Sequence, residues 1–145
     1  MPLNLKIPHF HRRRAAFFLT VLAVTPLGFA TKFYSGPGEH WMHLYAGDIL
    51  YPVFWYFLFL TFFPRFNPYL LAGLNLAFDC ICECTQLLHT PLLESIRSTF
   101  IGRTLIGNGF DSHDFYYYII GNILALVLYR LLLIIVSPRN LHAAE

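Results

Sequence analysis

The chain has 145 residues, enough for one domain; 57% of them are hydrophobic, only 12% are charged, and the formal net charge is +2. Soluble domains carry roughly 25% charged residues, so this composition argues against a soluble globule and for a small polytopic membrane protein. With so little net charge and no basic-aromatic pattern, nucleic acid is excluded as a partner.

Residues 1–14 are polar and basic, ending in Arg12-Arg13-Arg14. The apolar run from Ala15 to about Ala30 follows. A basic segment, an apolar segment and Gly28-Phe29-Ala30 together mimic a secretory signal. The further apolar runs favour a retained first span over a cleaved leader. Thr31 to Tyr45 reads as a loop, with Gly36-Pro37-Gly38 as turn chemistry. It holds His40 and His43, whose spacing is conceivable for a metal, but loop histidines are common and no metal site is assigned.

The second span is expected at about Ala46–Phe63, with Asp48 near its outer end and Pro52 one turn in. Its aromatic residues, among them Tyr51 and Trp55, suit packing or an interfacial belt. Pro64 and Pro68 bracket a short inner turn carrying Arg65.

The third span, Leu70–Leu88, is the most informative stretch. At ~100° per residue, Asn75, Asp79, Glu83 and Gln86 share one face of an otherwise apolar helix. An ionisable group in hydrocarbon costs about 2.5–3.5 kcal/mol even on the lenient insertion scale, so this face should look into protein or water. Cys80, Cys82 and Cys84 lie in the same run. Packing is the plain explanation for them, since a helix turns the middle thiol away from the other two.

The stretch His89–His113 contains Leu92–Ile106, whose apolar pattern predicts one short amphipathic helix at the membrane surface, broken by Gly107-Asn108-Gly109. The last span is expected at about Phe115–Val136, with Asp114 at its start, where the helix dipole favours a carboxylate. Arg130 near its inner end can snorkel to the head groups. The tail, 137–145, is short and polar.

The expected fold is therefore all-α: one four-helix transmembrane bundle over 15–136 (spans about 15–30, 46–63, 70–88 and 115–136), with the amphipathic helix between the third and fourth. Lys6, Arg12, Arg13, Arg14, Arg65, Arg130 and Arg139 then lie inside, and Lys32, Arg97 and Arg103 outside. That bias puts both termini in the cytoplasm.

This topology gathers polar residues at the outer end: Asp48, Glu83, Gln86, Asp111 and Asp114, with Arg97 and Arg103 in the roofing loop. Asp114, Tyr118, Gly121 and Ala125 share a face of the last span, expected to meet the Asp79/Glu83/Gln86 face. The proposed polar pocket comprises Asp48, Asp79, Glu83, Gln86, Arg97, Arg103, Asp114 and Tyr118. Each has a plainer role open to it. Glu83 could pair with Arg97 or Arg103, Asp79 could bond to Asn75 or Tyr118, and Asp48 and Asp114 could be helix caps. GxGxxG, P-loop, HExxH and GxSxG patterns are absent. No catalytic residue, metal or cofactor is assigned.

Gly47-Asp48, Glu83-Cys84-Thr85-Gln86-Leu87, Arg97-Ser98-Thr99, Gly102-Arg103, Leu105, Gly107-Asn108-Gly109-Phe110, Asp114, Tyr118 and Gly121 follow one another in order. From about Thr31 to Leu132 the chain resembles the small bacterial membrane proteins called domain of unknown function 2809, which look like a branch of the VanZ-like superfamily. The resemblance implies four spans in the bacterial inner (cytoplasmic) membrane. It also implies a polar signature of Asp48, Glu83, Gln86, Arg97, Arg103 and Asp114. VanZ-like proteins are associated with glycopeptide (teicoplanin) resistance and envelope phenotypes, but the resemblance carries no reaction.

Three functions compete. In the first, the pocket binds an amphipathic envelope lipid or lipid-linked sugar, with Arg97 and Arg103 pairing with its phosphate or carboxylate. In the second, the protein is purely structural or binds a protein partner of unknown identity. In the third, it is an envelope-lipid-modifying enzyme with Glu83 or Asp114 as general base.

Overall fold

The computed structural model describes residues 9–107 and 109–136, and among these every regular element is a helix. Most of the basic segment 1–14, namely 1–8, and the whole tail 137–145 fall outside the described residues, as does Asn108. Helix α1 is His9–Ala30, continued by a 3-10 turn, Thr31–Phe33. The three arginines at 12–14 are thus part of the first helix rather than a lead-in to it.

Helix α2 runs Glu39–Phe62, seven residues earlier than the expected start at Ala46, so half of the expected loop is helical. Gly38, in the left-handed region at φ 78°, starts it, and Glu39 sits in its first turn, where the dipole favours an acid. Met42–Ala46 form a π-turn within α2. Helix α3 is Pro68–Thr85. Asn67 caps it, its side-chain oxygen accepting from the N–H groups of Tyr69 and Leu70, and Pro68 fills the first turn. It ends three residues before the expected Leu88, with Gln86 at its C-cap.

The expected single amphipathic helix is two, α4 (Pro91–Ser98) and α5 (Phe100–Ile106). Thr99 divides them in an extended conformation, φ −81° and ψ 151°. Its hydroxyl donates to Ile96 O at 2.7 Å and accepts from Gly102 N–H at 3.0 Å. A Cβ on Gly102 would stand 1.9 Å from Ile96 O, so the fold-back admits glycine alone. Helix α6 is Asp114–Val136.

Among the described residues three helices are long and apolar enough to cross a membrane: His11–Phe33, Glu39–Phe62 and Asp114–Val136. The expected third span, α3, is not one of them. Its 18 residues extend about 27 Å at 1.5 Å each, just short of the ~30 Å hydrocarbon layer, and Asn75, Asp79 and Glu83 lower its hydropathy.

The core lies between α1, α2 and α6. Phe17, Val21 and Val24 of α1 are buried against Val53, Tyr56, Phe57 and Leu60 of α2. Phe17 packs on Phe57 and Tyr129, with both ring centroids 5.8 Å away. In a bilayer such a seam draws little on the hydrophobic effect; close packing and small residues hold it. Gly121 of α6 is the tightest point. A Cβ there would lie 2.4 Å from Ile49 O of α2. Gly121 thus meets α2, not α3 as its shared face with Tyr118 suggested.

Candidate functional site

Helix α3 lays its polar face on α6 and α2. At the deeper end, Asn75 Nδ2 donates to Asn122 Oδ1 at 2.9 Å and to Pro52 O at 3.1 Å. Asn122 Nδ2 donates to Asp79 Oδ2 at 3.0 Å and to Tyr118 O at 2.9 Å. Asp79 is fully buried, and its Oδ1 has no hydrogen-bond partner. The residues expected to hold Asp79, Asn75 and Tyr118, are reached only through Asn122.

One turn further out, Glu83 is also fully buried. Its Oε2 accepts from Tyr118 Oη at 2.9 Å and Gln86 Nε2 at 2.8 Å, and its Oε1 accepts from Asp111 N–H at 2.8 Å. Three donors from α6, the C-cap of α3 and the 107–113 loop replace the water a carboxylate loses on burial. Among the described residues no arginine bonds to Glu83, so the expected Glu83–Arg97 or Glu83–Arg103 pair is not made.

Arg97 does something else. It is buried at 6% exposure, and its guanidinium donates to Thr85 O at 2.7 Å and Leu88 O at 2.8 Å. Thr85 O already accepts from Leu88 N–H, and Leu88 O lies just past the end of α3, so the guanidinium ties the turn that leaves the helix, where a cation suits the helix dipole. Its one ion pair among the described residues is with Glu94, at 3.4 Å on the same helix. Arg103 is exposed on α5.

Above Glu83 a cavity of about 300 Å³ opens at the end of the bundle where α5 and the 107–113 loop sit. Asp48, Gln86, Asp114 and Tyr118 line it, as the sequence suggested; Arg97 and Arg103 do not, and Asp79 and Glu83 lie behind its wall. Asp111, Tyr45 and Tyr51 also line it. Tyr51 thus does more than packing or an interfacial belt requires, and its place one helical turn from Asp48 is the sequence signal for it. Cys82 reaches the cavity while Cys84 is exposed, so the three thiols do not converge.

No basic side chain lines this cavity among the described residues. Tyr51 Oη donates to Leu105 O at 2.6 Å, which ties α2 to α5. Gly107, at φ 77°, has Gln86 packed where a Cβ would be, with Nε2 at 2.6 Å. At the rim, Tyr45 stacks on Tyr117 with centroids 4.5 Å apart, and Trp41 Nε1 donates to Tyr117 Oη at 3.1 Å. The carboxyl of Asp111, on the loop outside the crossing helices, is held below its ordinary range by the backbone N–H and the ring of His113. A wider hollow of about 510 Å³ at the opposite end is lined by Arg13, Arg65, Tyr69 and Tyr129. Arg130 lies over the Tyr69 ring there, 5.4 Å from its centroid.

A chain whose described residues form helices as their only regular elements, three of them able to cross a membrane, with an acidic, tyrosine-lined cavity at one end, is a small membrane protein. The family model described as protein of unknown function (DUF2809) matches residues 38–122, more than half of the chain, and the chain belongs to that family. The match spans every residue of the cavity and the Asp79–Asn122–Asn75 network beneath it, and leaves out α1 and residues 123–136 of α6. No solved structure matches the chain.

Proposed function

We propose that this protein is a binding module of the bacterial cell envelope that receives the polar head of an amphipathic molecule, a lipid or a lipid-linked sugar. One observation carries the reading: a cavity of about 300 Å³ with carboxylates, an amide and tyrosine hydroxyls sits at the end of helices whose outer faces are apolar. Concave sites of this size with few convergent polar groups are where ligands bind. The contact envisaged from sequence, Arg97 and Arg103 on a phosphate, is not part of this proposal, because Arg97 serves the end of α3.

In the same reading α3 is a fourth, short crossing. Both termini are cytoplasmic, by the excess of arginine at the inner end, and the cavity opens outward from the inner membrane. A VanZ-like kinship agrees with such an envelope role. A purely structural or partner-binding protein is the alternative, favoured by the engagement of both Glu83 oxygens with intramolecular donors. The same engagement argues against Glu83 as an enzymatic base.

Mass spectrometry of lipids retained by the gently purified protein tests the reading. A head-group class held by the native protein and lost on filling the cavity with Thr104→Trp is expected. Identical lipid profiles for the two folded proteins would leave the structural alternative.

A further inference from the structure

The hydrogen-bonding sense of the cavity narrows what it can take. Tyr118 is more than nine-tenths buried, faces the cavity and gives its only hydroxyl proton to Glu83. Tyr51 gives its proton to Leu105 O. Both oxygens therefore offer only lone pairs to an incoming group. Asp48 from α2, Asp111 from the loop and Asp114 from α6 are acceptors when ionised. No lysine, arginine or histidine among the described residues lines the cavity; His113 on Asp111 and Lys32 beside Gly47 stand outside its wall and offset the carboxylates only in part. Tyr45 adds an aromatic ring to the wall, held by its stack on Tyr117, and aromatic faces attract cations. With three carboxylates against His113 and Lys32 an anion would meet net repulsion here, and a neutral acceptor would find few donors.

We propose that the cavity takes a cationic, donor-rich group, a primary or substituted ammonium, seated between Asp48, Asp111 and Asp114 with its N–H bonds or methyl groups on Tyr45, Tyr51 and Tyr118. The proposal rests on the reading of this cavity as a head-group site and names the chemistry of the head. The ammonium belongs either to a lipid head or to a free amine.

The full-length protein is reconstituted in nanodiscs of phosphatidylglycerol doped with phosphatidylethanolamine, phosphatidylcholine or an uncharged glycolipid. Retained lipid is read by mass spectrometry, with free ethanolamine as competitor. Ammonium-bearing lipid should be enriched over the bulk, and the Asp48→Asn/Asp114→Asn protein should lose roughly tenfold or more of that enrichment. Asp111→Lys, at the exposed lip, places an ammonium of its own in the site and should reduce enrichment in the same way without touching the packed helices. Competition by ethanolamine supports the proposal with a free amine as sufficient ligand; enrichment that ethanolamine does not displace supports it with the lipid as ligand. Enrichment of the glycolipid or of phosphatidylglycerol instead, unchanged by Asp111→Lys, overturns the cationic class while head-group binding stands. No enrichment of any lipid and no ethanolamine binding by folded protein overturns both.

Discussion

The hydroxyl of Tyr118 reaches Glu83 Oε2 across 2.9 Å with both side chains buried, and this contact joins α6 to α3 beneath the cavity floor. Gln86 and the backbone of Asp111 converge on the same carboxylate, so one side chain fixes a helix, a helix end and a loop.

Glu83→Gln keeps the shape but turns an NH2 toward groups that are themselves donors. At least one donor is then left without an acceptor, at a cost of about 1–3 kcal/mol. Tyr118→Phe removes a single bond to a charged acceptor and should cost about 1.5–3 kcal/mol. Thermal unfolding in detergent should rank both below the native protein, and the double variant should lose less than the sum. Strict additivity would show that the two residues do not share one network.

Two glycines should answer oppositely to alanine. At Gly102 the added carbon meets the backbone oxygen of Ile96, and the α4–α5 fold-back must open, with a loss of about 1–3 kcal/mol. At Gly73 nothing lies within 4 Å, and the helix should gain up to about 1 kcal/mol. Equal melting shifts for the two variants would contradict the tight fold-back at Thr99.

Arg97→Met retains length and loses the bonds to Thr85 O and Leu88 O. Thr85 O is left with Leu88 N–H alone and Leu88 O loses its side-chain donor, and amide exchange over residues 84–93 should accelerate while the core of α2 and α6 stays protected. Arg97→Lys cannot reproduce a fork that bridges two carbonyls and should exchange almost as fast. Unchanged protection in Arg97→Met would remove the capping role.

The Asp111–His113 contact is acid-sensitive. Its folded carboxyl titrates below the ordinary value, which is about 3.9 in unfolded chains. The stabilisation of the loop is therefore complete above about pH 4 and disappears as pH falls through the lower folded value. A carboxyl carbon NMR titration of Asp111 should give a midpoint below the unfolded one, and His113→Ala should raise it. A midpoint that ignores His113→Ala would detach the shift from this contact.

Much of the site could be read from the chain because helical periodicity is strict. The polar face Asn75, Asp79, Glu83 follows from spacing alone; of the α6 face expected to meet it, Tyr118 does so, while Gly121 turns to α2 and Asn122 takes its place. The convergence of Asp48, Gln86, Asp114 and Tyr118 follows from placing helix ends at one pole. The role of Arg97 could not be read in that way, since its acceptors are backbone carbonyls and any residue at 85 or 88 supplies one. The break at Thr99 was hidden because a threonine serves as well inside an amphipathic pattern as at a cap; only the nearness of Gly102 to Ile96 decides. The early start of α2 was hidden by Gly36-Pro37-Gly38, which marks a turn but not where the turn stops.

The π-turn at Met42–Ala46 sets the rotational phase of α2. An α-helix advances about 100° per residue, and a π-bulge accommodates one extra residue within the helix. The residues before the bulge are thereby turned relative to those after it. Trp41 can meet Tyr117 on one side while Asp48 and Tyr51 look into the cavity on another. Deleting one residue between 42 and 46 would let the helix close into a uniform spiral and swing Trp41 about 100° around the axis. The aromatic rim and the acidic interior would then be out of step, with every side chain of the cavity wall still present.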